Sequence, residues 1–463
     1  MTDDQDQIEL DTAEDSQRPM REQIKEALDQ RDAEKIESLL APLPISGKMR
    51  QLLSLSQDDR DLLLELVNAE LAADLVEEAP HETATDLVER MEAGRAAEVL
   101  DELDSDLQAD LIGDLDTEEA EAILSRFDPE EAADLRRLAA YEDDTAGGLM
   151  VAEAFSFPDT ATVGAVLRGM VSEDDDFERY RGQHPYVVDA DDRPVGVVSL
   201  RGLLTAKRSD KLTTIMTTPM TVSVDTTLDE LQDLFDGNNY LGLPVVEKDG
   251  RIAGVVSRSA VDAAALERAE SSSLKRQGVV GDEVRAMPLW LRSRRRLAWL
   301  SANIVLNIIA ASVISAYEET LAAVIAIAVF LPMVSDMSGC SGNQAVGVTM
   351  RELSLGIVQP KDAFRVWLKE VSVGVINGLA LGVLIGLVAF AWKGNPYLGL
   401  VIGLALAINT VIAVSIGGVV PLLLKRLNQD PAAASGPLLT TITDMAGFFL
   451  VLSLATLMMP LLL

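Results

Sequence analysis

Cysteine and histidine are almost missing from this chain of 463 residues: Cys340, His81 and His184 are all it has. A lone cysteine excludes an intramolecular disulfide and a cysteine-rich metal site. Neither histidine has a plausible nucleophile nearby in sequence and no glycine-rich phosphate loop occurs, so an enzyme is not expected. A signal peptide is absent too, because MTDDQDQIELDTAEDSQ is acidic and polar where a cationic and then an apolar segment would be needed. This terminus is expected to stay in the cytoplasm.

Positive charge is scarce, and unevenly so. Residues 1–291 hold 66 acids and 28 bases, a charge of −38, whereas everything from Arg292 onward has eight acids and eleven bases. So acidic a region repels nucleic acid and anionic headgroups and attracts cations, so no nucleic-acid partner is expected. With 48% hydrophobic residues in the same chain, two regions of different character are implied.

After an acidic leader over residues 1–20, expected to be disordered, residues 68–139 repeat every 12 positions within a helical domain placed at 21–149. The copies are NAELAADL, PHETATDL, EAGRAAEV, DSDLQADL, DTEEAEAI and DPEEAADL, starting at Asn68, Pro80, Glu92, Asp104, Asp116 and Asp128. The fifth residue of each is small or polar and the eighth apolar; Asp116, and Asp128 followed by Pro129, read as helix N-caps. Helices this short cannot bury an apolar stripe alone, so they are expected to stack at right angles in an array.

From 150 to 266 the texture changes to an α/β pattern in two copies, His184 to Leu204 and Gly242 to Val261. Each has an apolar strand, an Asp/Gly turn and a second strand ending in serine before a helix, and together they resemble a pair of CBS domains. A connecting helix is expected over 267–296, interrupted around Gly278 to Gly281 and ending in Arg292, Arg294, Arg295 and Arg296. Five apolar stretches follow within 297–463, at about 297–317, 321–350, 366–392, 397–424 and 437–462. Each can cross roughly 30 Å of hydrocarbon. The bases cluster at alternate connections (Arg292 to Arg296; Arg351, Lys361, Arg365 and Lys369; Lys425 and Arg426), while the other connections hold only Lys393. A multi-pass protein of the cell (inner) membrane follows, N-terminus inside and C-terminus outside. The expected fold is therefore multidomain: an all-α helical-repeat N-domain, an α/β CBS pair, a connecting helix and a five-helix transmembrane bundle.

Two carboxylates lie inside these stretches, Asp336 and Asp444. A charge at the bilayer centre costs at least about 2.5 kcal/mol, which makes each a candidate functional group; a protonated or helix-capping acid is the structural alternative. Counting 1.5 Å per residue puts Asp444 about 10 Å from the inner end of the fifth stretch and Asp336 about 22 Å from the outer end of the second, at similar depth. Around them lie Asn343, Asn409, Thr440 and Thr441, with Ser335, Ser338 and other small or hydroxylated residues. Oxygen donors without imidazole favour a hard cation, and Mg2+, which dehydrates reluctantly, suits one or two carboxylates holding a hydrated ion. Cys340 is the single soft atom and reads first as a small hydrophobe.

With these residues in view, the chain resembles the MgtE family of magnesium channels and transporters over nearly its whole length. The helical array, YEDDTAGGLM (Tyr141 to Met150), the CBS pair and five spans follow that family's order, and NTVIAVSIGGVVPLLLKRLNQDPAAASGPLLTTITD (Asn409 to Asp444) is its strongest match. The resemblance implies a homodimer in the lipid bilayer with the ion path on its two-fold axis, hydrated Mg2+ at the Asp444 pair, and a cytosolic region that closes the path when Mg2+ is plentiful. Against the family pattern, SGCSGNQ (Ser338 to Gln344) places Cys340 where asparagine is expected, and ERAESSS (Glu267 to Ser273) lacks part of an acidic run. Gly202 and Ala260 stand three residues after Ser199 and Ser257, where nucleotide-binding CBS domains often carry aspartate, so weak ATP binding or none is expected. Transport of Co2+ or another divalent ion, and a membrane-anchored sensor without flux, are the alternatives.

Overall fold

A computed structural model describes residues 19–170, 184–279, 281, 283–427 and 429–463. The leader expected at 1–20 lies outside them except for its last two residues. Two compact units divide the chain: Met1–Arg268 with Val284–Ala286, and Ala269–Glu283 with Met287–Leu463.

Among the described residues the first unit opens with ten short helices: α1 Met20–Asp29, α2 Ala33–Leu40, α3 Ile45–Ser54, α4 Gln57–Leu66, α5 Ala69–Glu77, α6 His81–Glu89, α7 Ala93–Asp101, α8 Ser105–Asp114, α9 Thr117–Leu124 and α10 Pro129–Leu138. From α5 on, one helix occupies each 12-residue copy. The eighth position of every copy, Leu75, Leu87, Val99, Leu111, Ile123 and Leu135, is fully or almost fully buried. The fifth, small in five copies, lets neighbouring backbones close over it; Gln108 fits there because its amide Nε2 donates to the Leu103 carbonyl at 2.7 Å. Each helix packs on the next but one, α5 with α7, α6 with α8, α7 with α9 and α8 with α10. Asp116 and Asp128 do stand at N-cap positions, with Pro129 in the first turn, yet neither carboxylate accepts a capping hydrogen bond; Asn68 does, from Leu71 N at 2.8 Å.

Among the described residues, seven strands and their helices follow: β1 Met150–Val151, β2 Ser156–Pro158, α11 Val163–Gly169, β3 Tyr186–Val188, β4 Pro194–Val197, α12 Leu200–Thr205, β5 Val222–Ser223, α13 Leu228–Asp236, β6 Gly242–Val246 and β7 Ile252–Ser257. They form two sheets, β2-β3-β4 and β1-β7-β6-β5. Both serines that close a copy act as helix caps: Ser199 Oγ accepts from Gly202 N at 3.1 Å and Ser257 Oγ from Ala260 N at 3.0 Å. The two copies have separate cores, one around Val163, Val187 and Leu203, the other around Leu231, Phe235 and Val256.

From Arg258 a helix, α14, runs to Arg276. The connecting helix expected over 267–296 is thus two pieces. Gly278 and Gly281 adopt φ of +77° and +75°, which stop α14, and the arginine run belongs to the next helix, α15 Leu289–Ala316, as its first two turns. Arg292 Nε and Arg296 Nη2 both reach Glu283 Oε1, at 3.1 and 2.6 Å.

In the second unit, α15 is followed by a short helix α16 Glu318–Ala323, then α17 Leu331–Ser354, α18 Ala363–Lys393, α19 Pro396–Arg426, α20 Pro431–Leu457 and a final turn α21 Met459–Leu462. Among the described residues, five helical stretches are long and apolar enough to span: Leu289–Ala316, Ile325–Ser354, Pro360–Lys393, Pro396–Arg426 and Ser435–Leu457. The second is not the single helix expected from 321. Val324 leaves helical geometry, 3-10 turns occupy Ile325–Val329, and α17 begins with Pro332 in its first turn, where a missing N–H has no helical partner to lose. Helix α19 is central, packed against α17, α18 and α20. Glycines set these contacts: a Cβ on Gly382 would lie 2.5 Å from the Gly403 carbonyl oxygen, and one on Gly417 2.3 Å from that of Gly342.

Candidate intramembrane site

Three of the membrane helices, α17, α19 and α20, meet at one polar layer. Ser335 on α17 donates its hydroxyl hydrogen bond to the Asp444 carboxylate on α20. One turn along α17, Ser338 accepts from Asn409 Nδ2 of α19 at 2.5 Å, and the same amide donates to the Thr443 carbonyl of α20 at 3.1 Å. Asn409 is fully buried, and its Oδ1 has no partner among the described residues. Room for this amide comes from Gly447, where a Cβ would sit 2.8 Å from Asn409 Nδ2. Small residues on three helices therefore allow one amide to bridge all three, and Asp444 is held half-buried beside that bridge.

The remaining sequence candidates divide in two. Thr440 and Thr441 precede Asp444 by about one turn, and both hydroxyls donate back along their own helix, to the carbonyls of Gly436 at 3.1 Å and Pro437 at 2.8 Å. Their oxygens keep accepting capacity. Asp336, Cys340, Asn343 and Gln344 lie instead on an exposed stripe of α17. Successive helical residues turn by about 100°, so with Ser335 facing Asp444, Asp336 points round the helix. The hydrogen bond from Ser335 sets Asp336 and Asp444 at one level; the depth counted from 321 through regular helix does not apply, because of the break before Leu331. Within one chain, the described residues contain no group of three or more His, Cys, Asp or Glu side chains placed to hold a metal.

In the sequence Ser335, Ser338 and Thr443 are three oxygen donors among many around the two acids, and only the structure singles them out as contacts. The signal available for the two serines is their i, i+3 spacing on the helix that carries Asp336. Their partners lie 109 and 71 positions away, a pairing that no local pattern shows.

The first unit gathers its own carboxylates. Asp110 on α8 is partly buried beside Asp106, Asp114 and Asp143, and burial, reinforced by Asp106 and Asp143, pushes it up to about 7. His81 on α6 meets Asp114 at 2.8 Å; burial lowers its pKa, but this bond and the nearby Asp110 and Glu267 outweigh it and raise it. In the unfolded chain Asp110 loses its proton near 3.8, so the folded state holds the extra proton and stability falls as pH rises from about 4 to 7. His81 adds a loss of the same sign above its ordinary value of 6.5. Hydrogen exchange over Ser105–Asp114, corrected for intrinsic rate, should show this helix opening more readily at pH 8 than at pH 5.5. Asp110→Asn should remove most of the difference, on the order of 1–3 kcal/mol; a difference that survives the substitution would assign it elsewhere.

A membrane bundle built round an intramembrane carboxylate, carrying a helical array and a CBS pair, defines a cation-transport protein of modular type. Family models agree segment by segment: "Divalent cation transporter" matches residues 331–454, "MgtE intracellular N domain" residues 48–144, and "CBS domain" residues 146–209 and 212–267. The magnesium transporter MgtE of Thermus thermophilus is 34% identical over 335 residues, covering 71% of this chain and 73% of that protein. That of Bacillus subtilis is 30% identical over 69% of this chain and 70% of its own length. The crystal structure of the cytosolic domain of the Mg2+ channel MgtE in complex with ATP aligns at 27% identity and TM-score 0.47, covering 53% of this chain and 99% of that one. The chain belongs to the MgtE family, whose members are transporters and channels rather than enzymes.

Proposed function

We infer that this chain carries Mg2+ across the cell membrane as a homodimer, with Asp444 of each copy beside the ion path. The observation that carries the reading is the pairing of a held carboxylate, Asp444 with Ser335, with an uncovered polar stripe on the neighbouring helix face. Asp336, Asn343 and Gln344 turned toward hydrocarbon would be costly, whereas a second copy against the same face encloses them with water and ions. Two carboxylates contributed by two copies, with hydroxyl and amide oxygens around them, suit a cation that keeps its water shell. Cys340 on the same stripe is the soft atom that bears on Co2+.

Orientation follows the basic residues. The arginines opening α15, Arg351 near the end of α17, Arg365 and Lys369 at the start of α18, and Lys425 and Arg426 ending α19 share one side when the spans alternate. That side is the cytosol, with the C-terminus outside. The acidic first unit then lies in the cytosol, where its self-repelling charge responds to divalent cations bridging carboxylates, and so regulates the path. Liposomes holding the purified full chain test the reading together: Mg2+ influx should exceed that of empty liposomes and should fall when Mg2+ on the side of the first unit reaches millimolar levels. No flux of any divalent ion would leave a membrane-anchored sensor; Co2+ flux without Mg2+ flux would change the substrate; flux indifferent to that Mg2+ would remove the regulation.

ATP is not part of this reading. The helix-opening N–H of Gly202 and of Ala260 is already capped by the serine before it, and neither residue offers a carboxylate for a ribose. Calorimetry on the full chain should detect no ATP binding tighter than about 1 mM; a low-micromolar affinity would refute this.

A further inference from the structure

The packing of α18 on α19 leaves a feature that ion transport does not use. Gly382 and Gly386 face Gly403 and Gly399, and any Cβ there would come within 2.8 Å of the opposing carbonyl oxygen, so the two backbones nearly touch. Where four side chains are missing, the outer surface of the pair sinks into a groove of about 450 Å3. Val383, Leu387 and Phe390 form one wall, Leu400 and Leu404 the other, and no acidic side chain lines it.

The groove runs toward the α18–α19 connection, and that end is chemically distinct. Lys393 lies three residues beyond Phe390, the last residue of the first wall, is exposed, and sits with Nζ 5.3 Å from the centre of the Trp392 ring. Trp392 is itself braced edge-on against the buried Phe330 at 5.8 Å. Gly394, at φ +70°, ends α18 and Asn395 caps α19 through Tyr397 N at 2.9 Å, so the connection holding the lysine is short and tied down. It is the one base at the connections that the other arginines and lysines avoid.

We propose that this groove binds an anionic phospholipid, one acyl chain lying along the glycine seam and the headgroup phosphate at Lys393. An apolar trench inside a bilayer is filled by hydrocarbon, and a fixed cation at its mouth selects among lipids by headgroup charge. The occupant is a lipid rather than a second copy because the groove carries no polar group that a protein partner would need to satisfy, whereas the uncovered polar stripe is on α17.

The test is native mass spectrometry of the full chain in detergent, titrated with palmitoyl-oleoyl phosphatidylglycerol or the matching phosphatidylcholine. The parent should retain the anionic lipid about fivefold better, the effect of one lysine near an anionic headgroup. Lys393→Gln should abolish that preference, and Leu404→Trp, at a residue 44% exposed and thus able to enlarge without disturbing the core, should lower retention of both lipids. Equal retention of the two lipids by the parent, or variants that bind as the parent does, would mean ordinary annular lipid only and overturn the proposal. A loss of dimer mass in Leu404→Trp would overturn it as well, by assigning the groove to a second copy.

Discussion

Asp444→Asn should fold, reach the membrane and lose Mg2+ flux by more than about tenfold. Asparagine keeps the size of the side chain and can still accept from Ser335, so the contact between α17 and α20 survives in a weakened form. What disappears is the negative charge that offsets the cost of bringing a divalent cation into a region of low dielectric, an amount of several kcal/mol at such a position. Glu318→Gln, at an exposed residue opening the short helix α16, removes the same charge away from the site and should leave flux within about twofold of the parent. The informative comparison is with Asp336→Asn. Should Asp444→Asn conduct normally while Asp336→Asn does not, the ion-binding carboxylate is the one on the exposed stripe of α17. Full flux in both single variants and in the double variant would end the idea that either acid holds the ion.

A second large effect is expected where α17 crosses α19. At Gly417 an added Cβ would stand 2.3 Å from the Gly342 carbonyl oxygen, a backbone contact, and 3.1 Å from Ala345 Cβ, and no side-chain rotation relieves either. Gly417→Leu must push α17 away from α19, which also breaks the bond from Thr349 Oγ1 to the Gly418 carbonyl at 3.2 Å and pulls Ser338 from Asn409. Overpacking of this kind costs about 3 kcal/mol. Thermal unfolding in detergent should fall by several degrees or the folded chain should fail to accumulate, with flux lost in either case. Gly347→Ala is the control on α17: a Cβ there meets nothing within 4 Å, and replacing a helical glycine gains up to about 1 kcal/mol. An unchanged melting temperature for Gly417→Leu would show that this seam yields more easily than its geometry implies.

Much of the architecture is written locally. The 12-residue spacing placed Ala72, Ala84 and Ala96 against Leu75, Leu87 and Val99, and all six are buried in the array because a short helix has only one face to hide. The strand, turn, strand pattern before Ser199 and Ser257 carried the two sheets for the same reason. What could not be read were pairings between distant parts. Ser335 is one hydroxyl among several in α17, and only the packing of α20 distinguishes it; Asn409 reads as one amide in an apolar helix until two other helices close on it. The break before Leu331 is different. Pro332 marks it in the sequence, but hydropathy alone runs continuously from 321 and hides the change from spanning helix to 3-10 turns.

A strand of only two residues has the widest consequence. Met150 and Val151 form β1, which precedes the first α/β copy yet pairs with Val256 and Val255 in β7, at the end of the second. The seam is tight, since a Cβ on Gly254 would lie 2.3 Å from the Val151 carbonyl oxygen. Just upstream, Ala146 N and Gly147 N donate to the carbonyls of Thr226 and Val224, and Tyr141 donates to Glu247 at 2.5 Å. A pull on the helical array is therefore borne by the second copy before it reaches the first, and β7 hands it directly to α14, which starts at the next residue. Covalent order and the order in which force passes differ: the first copy is a side branch, suspended from a line that runs from array to β1, to β7, to α14. Cutting the chain between the copies would not release two independent modules, because β1 on one fragment still completes the sheet of the other.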